Sequence, residues 1–126
     1  MEFISTEKAP KAIGPYSQAV VSGELVFLSG QTPIDPETGA LVAGGFEDRV
    51  HRVFRNLEAV LESAGCGFSD VVRVSVYLTD MANFKAMNAI YAGYFGDHKP
   101  ARSTIGVAEL PLGAAVEIDM IARRRA

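Results

Sequence analysis

The sequence predicts an α/β (α+β) fold: one domain over residues 1–126, with a mixed sheet of five or six strands and two helices on one of its faces. Three observations support this prediction. Two stretches have the apolar spacing of amphipathic helices, the others have the composition of strands, and the elements follow one another as β-β-α-β-α-β-β. The length of 126 residues and the 48% hydrophobic content fit a single globular domain.

The two helices are predicted from apolar residues spaced three and four apart. The first runs from Phe46 to Ala64, and Gly65 is placed to end it. The second covers 83–95, and Pro100 prevents its continuation. Strands are predicted at 16–21, 25–30, 71–80, 102–110 and 114–124, with a hairpin turn at 22–24 and a short sixth strand at 3–5.

Two helices can cover only one face of such a sheet. Alternation along the last strand directs every second residue from Val116 to Ala122 toward the helices and leaves Glu117 on the other face. The same argument assigns Ile105 to the helix side and Arg102 and Thr104 to the uncovered face. That face carries many small residues and few ionisable ones, which favours its burial against another copy of the chain.

Charge and composition argue against several classes of protein. With 12 basic and 15 acidic residues the formal net charge is −3, which argues against a dedicated nucleic-acid-binding protein. The only basic run, 123–125, is expected to be a solvated tail. The single cysteine, Cys66, is expected to be inert, and His51 and His98 lack the spacing of metal ligands. The N-terminus has no leader pattern and no window has the length of a membrane span, so we expect a cytoplasmic protein.

Arg102 needs an explanation, because arginine is rarely buried without a partner and the next acidic residue along the chain is Glu109. If the last two strands pair, Arg102 and Glu117 could meet on the uncovered face. One interpretation is a structural ion pair. The other is an open guanidinium that binds a ligand carboxylate while Glu117 handles a water. The residues alone leave both interpretations open.

Four further positions are candidates for the same site. Tyr16 follows a rigid Gly-Pro turn, Ser29 and Gly30 end a strand, and Asn88 lies in the middle of a helix among apolar residues. Each also has a plain structural interpretation, as a half-buried aromatic, a strand exit or a structural hydrogen bond. No phosphate-binding loop, dinucleotide fingerprint, nucleophile elbow or zinc motif is present, which leaves acid–base or binding chemistry.

Six segments, in this order, resemble the reactive intermediate (enamine/imine) deaminase family: AIGPYSQAV, LVFLSGQTPIDPETG, NLEAVLESAG, VVRVSVYLTDM, FKAMNAIYAGYF and PARSTIGVAELPLGAAVEIDMIA. The resemblance extends from Ala12 to Ala122. It implies a chorismate-mutase-like fold assembled as a homotrimer, with clefts between subunits. It also implies a 2-iminobutanoate/2-iminopropanoate deaminase, which hydrolyses intermediates such as 2-aminoacrylate and 2-aminocrotonate, released by pyridoxal-phosphate enzymes, to 2-keto acids and ammonia. No cofactor or metal is implied.

Carried over residue by residue, the resemblance implies that Arg102 binds the substrate carboxylate and that Glu117, with the backbone at Thr104, positions the attacking water. The residues implied to line the pocket are Tyr16, Ser29, Gly30 and Asn88. The sequence departs from some relatives at Thr104, where they carry Cys. Two other functions stay open: a trimer that binds small carboxylates without turnover, and a ribonuclease, against which the acidic balance and the lack of paired catalytic histidines count.

Overall fold

A computed structural model describes residues 1–125 as one six-stranded sheet with two helices, so Ala126 lies outside the described residues. The elements, in chain order, are β1 (Glu2–Ile4), β2 (Ala19–Ser22), β3 (Leu25–Gln31), α1 (Phe46–Ser63), β4 (Val71–Leu78), α2 (Phe84–Phe95), β5 (Ala101–Gly106) and β6 (Val116–Arg123). The predicted order of elements is confirmed. The predicted strands at 16–21 and 102–110 were too long at one end, since β2 begins at Ala19 and β5 ends at Gly106.

The sheet is mixed, as predicted, with the strand order β1-β2-β3-β6-β4-β5. The β2–β3 hairpin is antiparallel, and β4 and β5, which α2 connects, are the parallel pair. β6 lies between β3 and β4 and is antiparallel to both. Consequently β5 and β6 are not neighbours, and β5 is an edge strand with one side of its backbone unpaired within the sheet.

The hydrophobic core lies between one face of the sheet and the two helices. The apolar side of α1 is buried from Val50 to Leu61, whereas Phe46 at its start is only partly buried. This side packs on β3, β6 and α2. The core-facing residues of β6 are Val116, Ile118, Met120 and Ala122, as their alternation predicted. Gly65 ends α1 with a φ of 79°, a conformation that glycine adopts without strain.

The opposite face of the sheet is not covered by any helix of the described chain. It exposes large apolar side chains, among them Phe3, Leu25, Phe27 and Ile105. The same face carries Tyr77, whose hydroxyl donates a 2.9 Å hydrogen bond to Asp119. We refer to this surface as the open face.

A bulge near the start of β4 changes the faces predicted for its first residues. Val71 pairs with Ala122 and Arg73 with Ile121, so Val72 is the extra residue. Val71 therefore lies in the core and Val72 is exposed, the reverse of the simple alternation. From Val74 onward the predicted alternation holds.

Among residues 1–125, no helix combines the length and the apolar character that crossing a membrane would require.

Candidate active site

The structure brings the predicted site residues together in two groups. Tyr16, Ser29, Gly30 and Glu117 lie around the end of β3 and the start of β6; we call them the Glu117 group. Asn88 on α2 and Arg102 and Thr104 on β5 form the second, the Arg102 group. The two groups lie on opposite faces of the sheet.

The face predicted for Arg102 and Thr104 is wrong. In the parallel pair Arg102 lies opposite Val74 and Thr104 opposite Val76, and both valines are fully buried in the core. Residues opposite each other in a sheet share a face, so Arg102 lies on the helix side. Ile105, predicted for the core, is instead 49% exposed on the open face. The prediction failed because it assigned the more apolar residues of the strand to the core. At this edge of the sheet the arginine instead packs on aromatic rings of α2.

The prediction that Arg102 and Glu117 come into contact is also wrong within one chain, because β4 lies between their two strands. Glu117 pairs with Tyr77, which pairs with Ile105, three residues from Arg102. Strand geometry then places their Cα atoms about 10 Å apart across the sheet and about 10 Å apart along it. No intramolecular ion pair between them can form.

The side chain of Glu117 lies directly against the backbone of Gly30. A bulge in β3 accommodates the contact: Leu28 pairs with Met120 and Gln31 with Ile118, so β3 has one residue more than β6 over this stretch. A Cβ atom at position 30 would overlap Oε2 of Glu117. Any side chain there would therefore displace the Glu117 carboxylate.

Burial raises the pKa of Glu117 above its ordinary value of 4.5, and the nearby negative charge of Asp119 raises it further. Among residues 1–125, no side-chain hydrogen bond to the Glu117 carboxylate is formed that would favour its charged form. A carboxyl group in this environment exchanges its proton at a higher pH than an exposed glutamate does. That property suits a group that takes a proton from water and returns it.

Glu117, Gly30 and Tyr16 line one cavity of about 320 Å³ at the end of the sheet. Its mouth carries exposed apolar side chains, including Ile13 and Leu112. The hydroxyl of Ser29 is engaged elsewhere, since it donates a 2.6 Å hydrogen bond to the carbonyl of Ser17. Ser29 thus fixes the segment that carries Tyr16 beside the cavity.

In the Arg102 group the guanidinium is held by aromatic rings. Its central carbon lies 4.7 Å from the centroid of Tyr91 and 5.7 Å from that of Phe84. Among residues 1–125, no carboxylate lies within ion-pairing distance of Arg102. The guanidinium therefore keeps donors for a ligand carboxylate.

Three buried polar atoms on the helix side of the sheet have no hydrogen-bond partner within residues 1–125: Oδ1 of Asn88, the hydroxyl of Tyr91 and Oγ1 of Thr104. Buried polar atoms are normally paired, and each exception needs an explanation. Burial raises the pKa of Tyr91, while the neighbouring positive charge of Arg102 lowers it by less. Tyr91 is thus a neutral hydroxyl beside a free cation.

Sequence reasoning missed three residues that build the site. Tyr91 was assigned only to the apolar side of α2. Gln18 is buried, and its amide donates to the carbonyl of Pro10 at 2.8 Å, which fixes the N-terminal wall of the Glu117 cavity. Asn56, fully buried on α1, donates to the carbonyl of Ile34 at 3.0 Å and holds the loop after β3. A buried amide within an apolar helical stripe was the signal for Asn56.

Comparison with known proteins identifies the family. The model of the family described as Endoribonuclease L-PSP, the YjgF/Rid family, matches residues 6–124. The chain belongs to this family. A curated member, reactive intermediate deaminase A of Arabidopsis thaliana, is 50% identical over 96% of the chain and 65% of its own length.

Two further members of the YjgF/Rid family extend the comparison. The 2-iminobutanoate/2-iminopropanoate deaminase of Mus musculus is 48% identical over 96% of the chain and 90% of its own length. A crystal structure from Thermotoga maritima superposes with a TM-score of 0.97, at 53% identity, covering 100% of this chain and 99% of that one. The predicted family and fold class are thereby confirmed.

Proposed function

We propose that the protein is a deaminase that hydrolyses short-lived 2-imino and 2-enamino acids, such as 2-iminobutanoate and 2-iminopropanoate, to 2-keto acids and ammonia. The observation that carries the proposal is the half-buried Arg102, which has no acidic partner among residues 1–125 and lies 4.7 Å from the ring of Tyr91. A guanidinium with free donors binds a carboxylate in bidentate fashion. The deaminase names of relatives at 48% and 50% identity support the same reaction class.

The site is completed by a second copy of the chain. Arg102 and Glu117 lie on opposite faces of one sheet, too far apart to contact one small substrate. If Arg102 of one copy faces Glu117 of another, both reach the same molecule. The exposed apolar residues of the open face and the unpaired edge of β5 support such an assembly, for which we propose the homotrimer with clefts between subunits.

In this cleft Arg102 holds the carboxylate of the substrate, so that the neighbouring C2 atom lies at a fixed place. The imine carbon is already electrophilic, and water needs orientation more than it needs a strong base. Glu117 and the backbone at Thr104 hold the water, and its oxygen bonds to C2 as Glu117 accepts its proton. The electron pair of the C=N double bond moves to nitrogen, to which Glu117 returns the proton, and a carbinolamine forms. The hydroxyl proton of this carbinolamine then passes through Glu117 to the amine, the C2–O bond becomes a carbonyl as the C2–N bond breaks, and ammonia and the 2-keto acid leave. The chemistry needs no cofactor.

The remaining residues shape the pocket. Tyr16 and Gly30 border the cavity in front of Glu117, and Ser29 fixes the chain behind them. Asn88 offers an unpaired amide oxygen on the Arg102 side. An amide oxygen accepts hydrogen bonds, which suits it to the N–H of an imine.

The experiment that tests this function follows the fate of an imine. A threonine dehydratase generates 2-iminobutanoate in situ, and semicarbazide traps the imine that survives. We expect micromolar amounts of the protein to reduce trapping, with ammonia and 2-oxobutanoate released in equal amounts. Unchanged trapping, together with binding of 2-oxobutanoate, would instead favour a carboxylate-binding protein without turnover.

Ribonuclease activity is the second candidate, because the matching family model is described as an endoribonuclease. The charge distribution does not favour it. The formal net charge is −3, and the arginines of the basic run each pair with an acid: Arg123 with Glu24, Arg124 with Glu2 and Arg125 with Asp70. RNA cleavage by the purified protein that survives the change Arg102→Ala would support this candidate.

A further inference from the structure

Within residues 1–125, the side chain of Arg102 is restrained by aromatic rings and not by a carboxylate. Arg102 is neither fully exposed nor paired with an acid, and Tyr91 and Phe84 supply the contacts to its guanidinium that the described residues offer. A free arginine side chain has many rotamers, and fixing them costs conformational entropy. Binding is tighter when the unbound protein has already restricted that freedom.

An aromatic ring restrains a guanidinium differently from a carboxylate. A carboxylate would occupy the N–H donors and neutralise the charge. A ring attracts the cation through its electron-rich face and uses none of those donors. The arrangement around Arg102 therefore orients the cation and keeps its full capacity for a ligand carboxylate.

The main ring of this contact is itself held firmly. Tyr91 packs against Phe95 at a centroid distance of 4.6 Å and edge-on against Phe54 at 6.0 Å. Phe54 is fully buried and Phe95 nearly so, which ties Tyr91 to the core between the two helices. Phe84, at the start of α2, is half-buried and packs against the same core.

We propose that Tyr91 and Phe84 are positioning residues for Arg102: their rings fix the guanidinium for the substrate carboxylate without occupying its donors. This inference rests on the proposed function for the identity of the ligand. The ring of Tyr91, rather than its hydroxyl, performs this role. Loss of the ring thus weakens carboxylate binding, while the chemistry at C2 continues on the substrate that does bind.

The test measures two quantities in parallel: the KM and kcat for 2-iminobutanoate hydrolysis, and the Kd for the product 2-oxobutanoate by calorimetry. For Tyr91→Leu we expect both KM and Kd to rise about tenfold while kcat changes by less than about threefold. For Tyr91→Phe, which keeps the ring and loses only the hydroxyl, we expect KM and Kd to rise by less than about threefold, well below the rise for Tyr91→Leu. Phe84→Leu should show a smaller rise in the same two quantities, because the Phe84 ring lies farther from the guanidinium than the Tyr91 ring does.

Tyr94→Leu is the matched control, because it removes a ring from the same helix and the same aromatic cluster without touching Arg102. Its Kd should stay near that of the wild type. Equal losses in Tyr91→Leu and Tyr94→Leu, an unchanged Kd in Tyr91→Leu, or a Tyr91→Phe variant as impaired as Tyr91→Leu would each overturn the inference. Failure of the wild type to hydrolyse the imine would overturn the deaminase instead, and the Kd series would still decide the role of the rings.

Discussion

Arg102 and Glu117 project from opposite faces of one sheet, on strands that β4 separates. One residue is a cation without an acidic partner among residues 1–125, and the other is a carboxyl group whose pKa burial raises. Neither arrangement stabilises a lone chain. Both are explained if the two groups meet across a boundary between copies and share one substrate.

The change Arg102→Lys tests the carboxylate-binding role. Lysine keeps the charge but loses the planar pair of donors, so we expect kcat/KM for 2-iminobutanoate to fall about 100-fold with little change in Tm. Arg73→Lys is the matched control, since Arg73 is an exposed arginine on the neighbouring strand and donates a hydrogen bond to Ser103. Near-normal activity of Arg102→Lys would remove Arg102 from the site.

The change Gly30→Ala tests the contact between the β3 bulge and Glu117. The added Cβ would overlap the Glu117 carboxylate and displace it, so we expect kcat/KM to fall at least about tenfold. Gly93→Ala on α2 has open space around its Cβ and should leave activity intact while raising Tm slightly. Full activity of Gly30→Ala would show that the carboxylate need not lie against this backbone.

The sequence and the structure agree where one strong pattern decides the outcome. The stripe of α1 is continuous over 18 residues and could face only the core. The face of β5 was predicted wrongly because its short alternation is the only signal for an edge strand. The rings that pack on Arg102 come from another element, α2, and their contact with β5 shows only in the folded chain. The bulges at Val72 and before Gln31 were missed because an extra residue shows only against its partner strand.

The candidate site was foreseen in composition but not in arrangement. The resemblance to a known family indicated Arg102, Glu117 and the other candidate residues. Strand alternation, however, predicted that Arg102 and Glu117 lie on the same face of the sheet. The roles of Tyr91 and Gln18 were not predicted because each depends on a contact in the folded chain: Tyr91 with a guanidinium, and Gln18 with loop carbonyls. Contacts between separate elements and loops leave no periodic pattern in the sequence.

The raised pKa of Glu117 makes stability depend on pH in a defined direction. Because the folded chain binds this proton more tightly than the unfolded chain does, Glu117 lowers stability as pH rises from the ordinary value of 4.5 through the raised one. We therefore expect Glu117→Gln to raise Tm at pH 7.5 and to have little effect at pH 4. Its activity should be largely lost.

Glu109→Gln, a change at an exposed glutamate, is the control for the pH experiment. Its Tm should follow the wild type at both values of pH. A Glu117→Gln variant that is less stable than the wild type at pH 7.5 would contradict the unfavourable burial of this carboxylate.

The open face offers a test of assembly. Ile105 is 49% exposed there, on the edge strand, so a glutamate at this position should oppose burial against another copy. We expect Ile105→Glu to shift the sedimentation of the protein from a trimer to smaller species and to abolish deaminase activity. Ala89→Glu, on the exposed side of α2, should sediment as the wild type does. An intact, active Ile105→Glu trimer would exclude this edge from the interface.

The central claim is that one site takes Arg102 from one chain and Glu117 from another, and complementation tests it most directly. Arg102→Ala and Glu117→Gln chains with different tags are expressed together, and trimers carrying both tags are isolated. One cleft of the three then contains both wild-type residues, so about a third of wild-type activity should return. Co-expressed Arg102→Ala chains with both tags should stay inactive. Mixed trimers no more active than either variant alone would contradict the shared site.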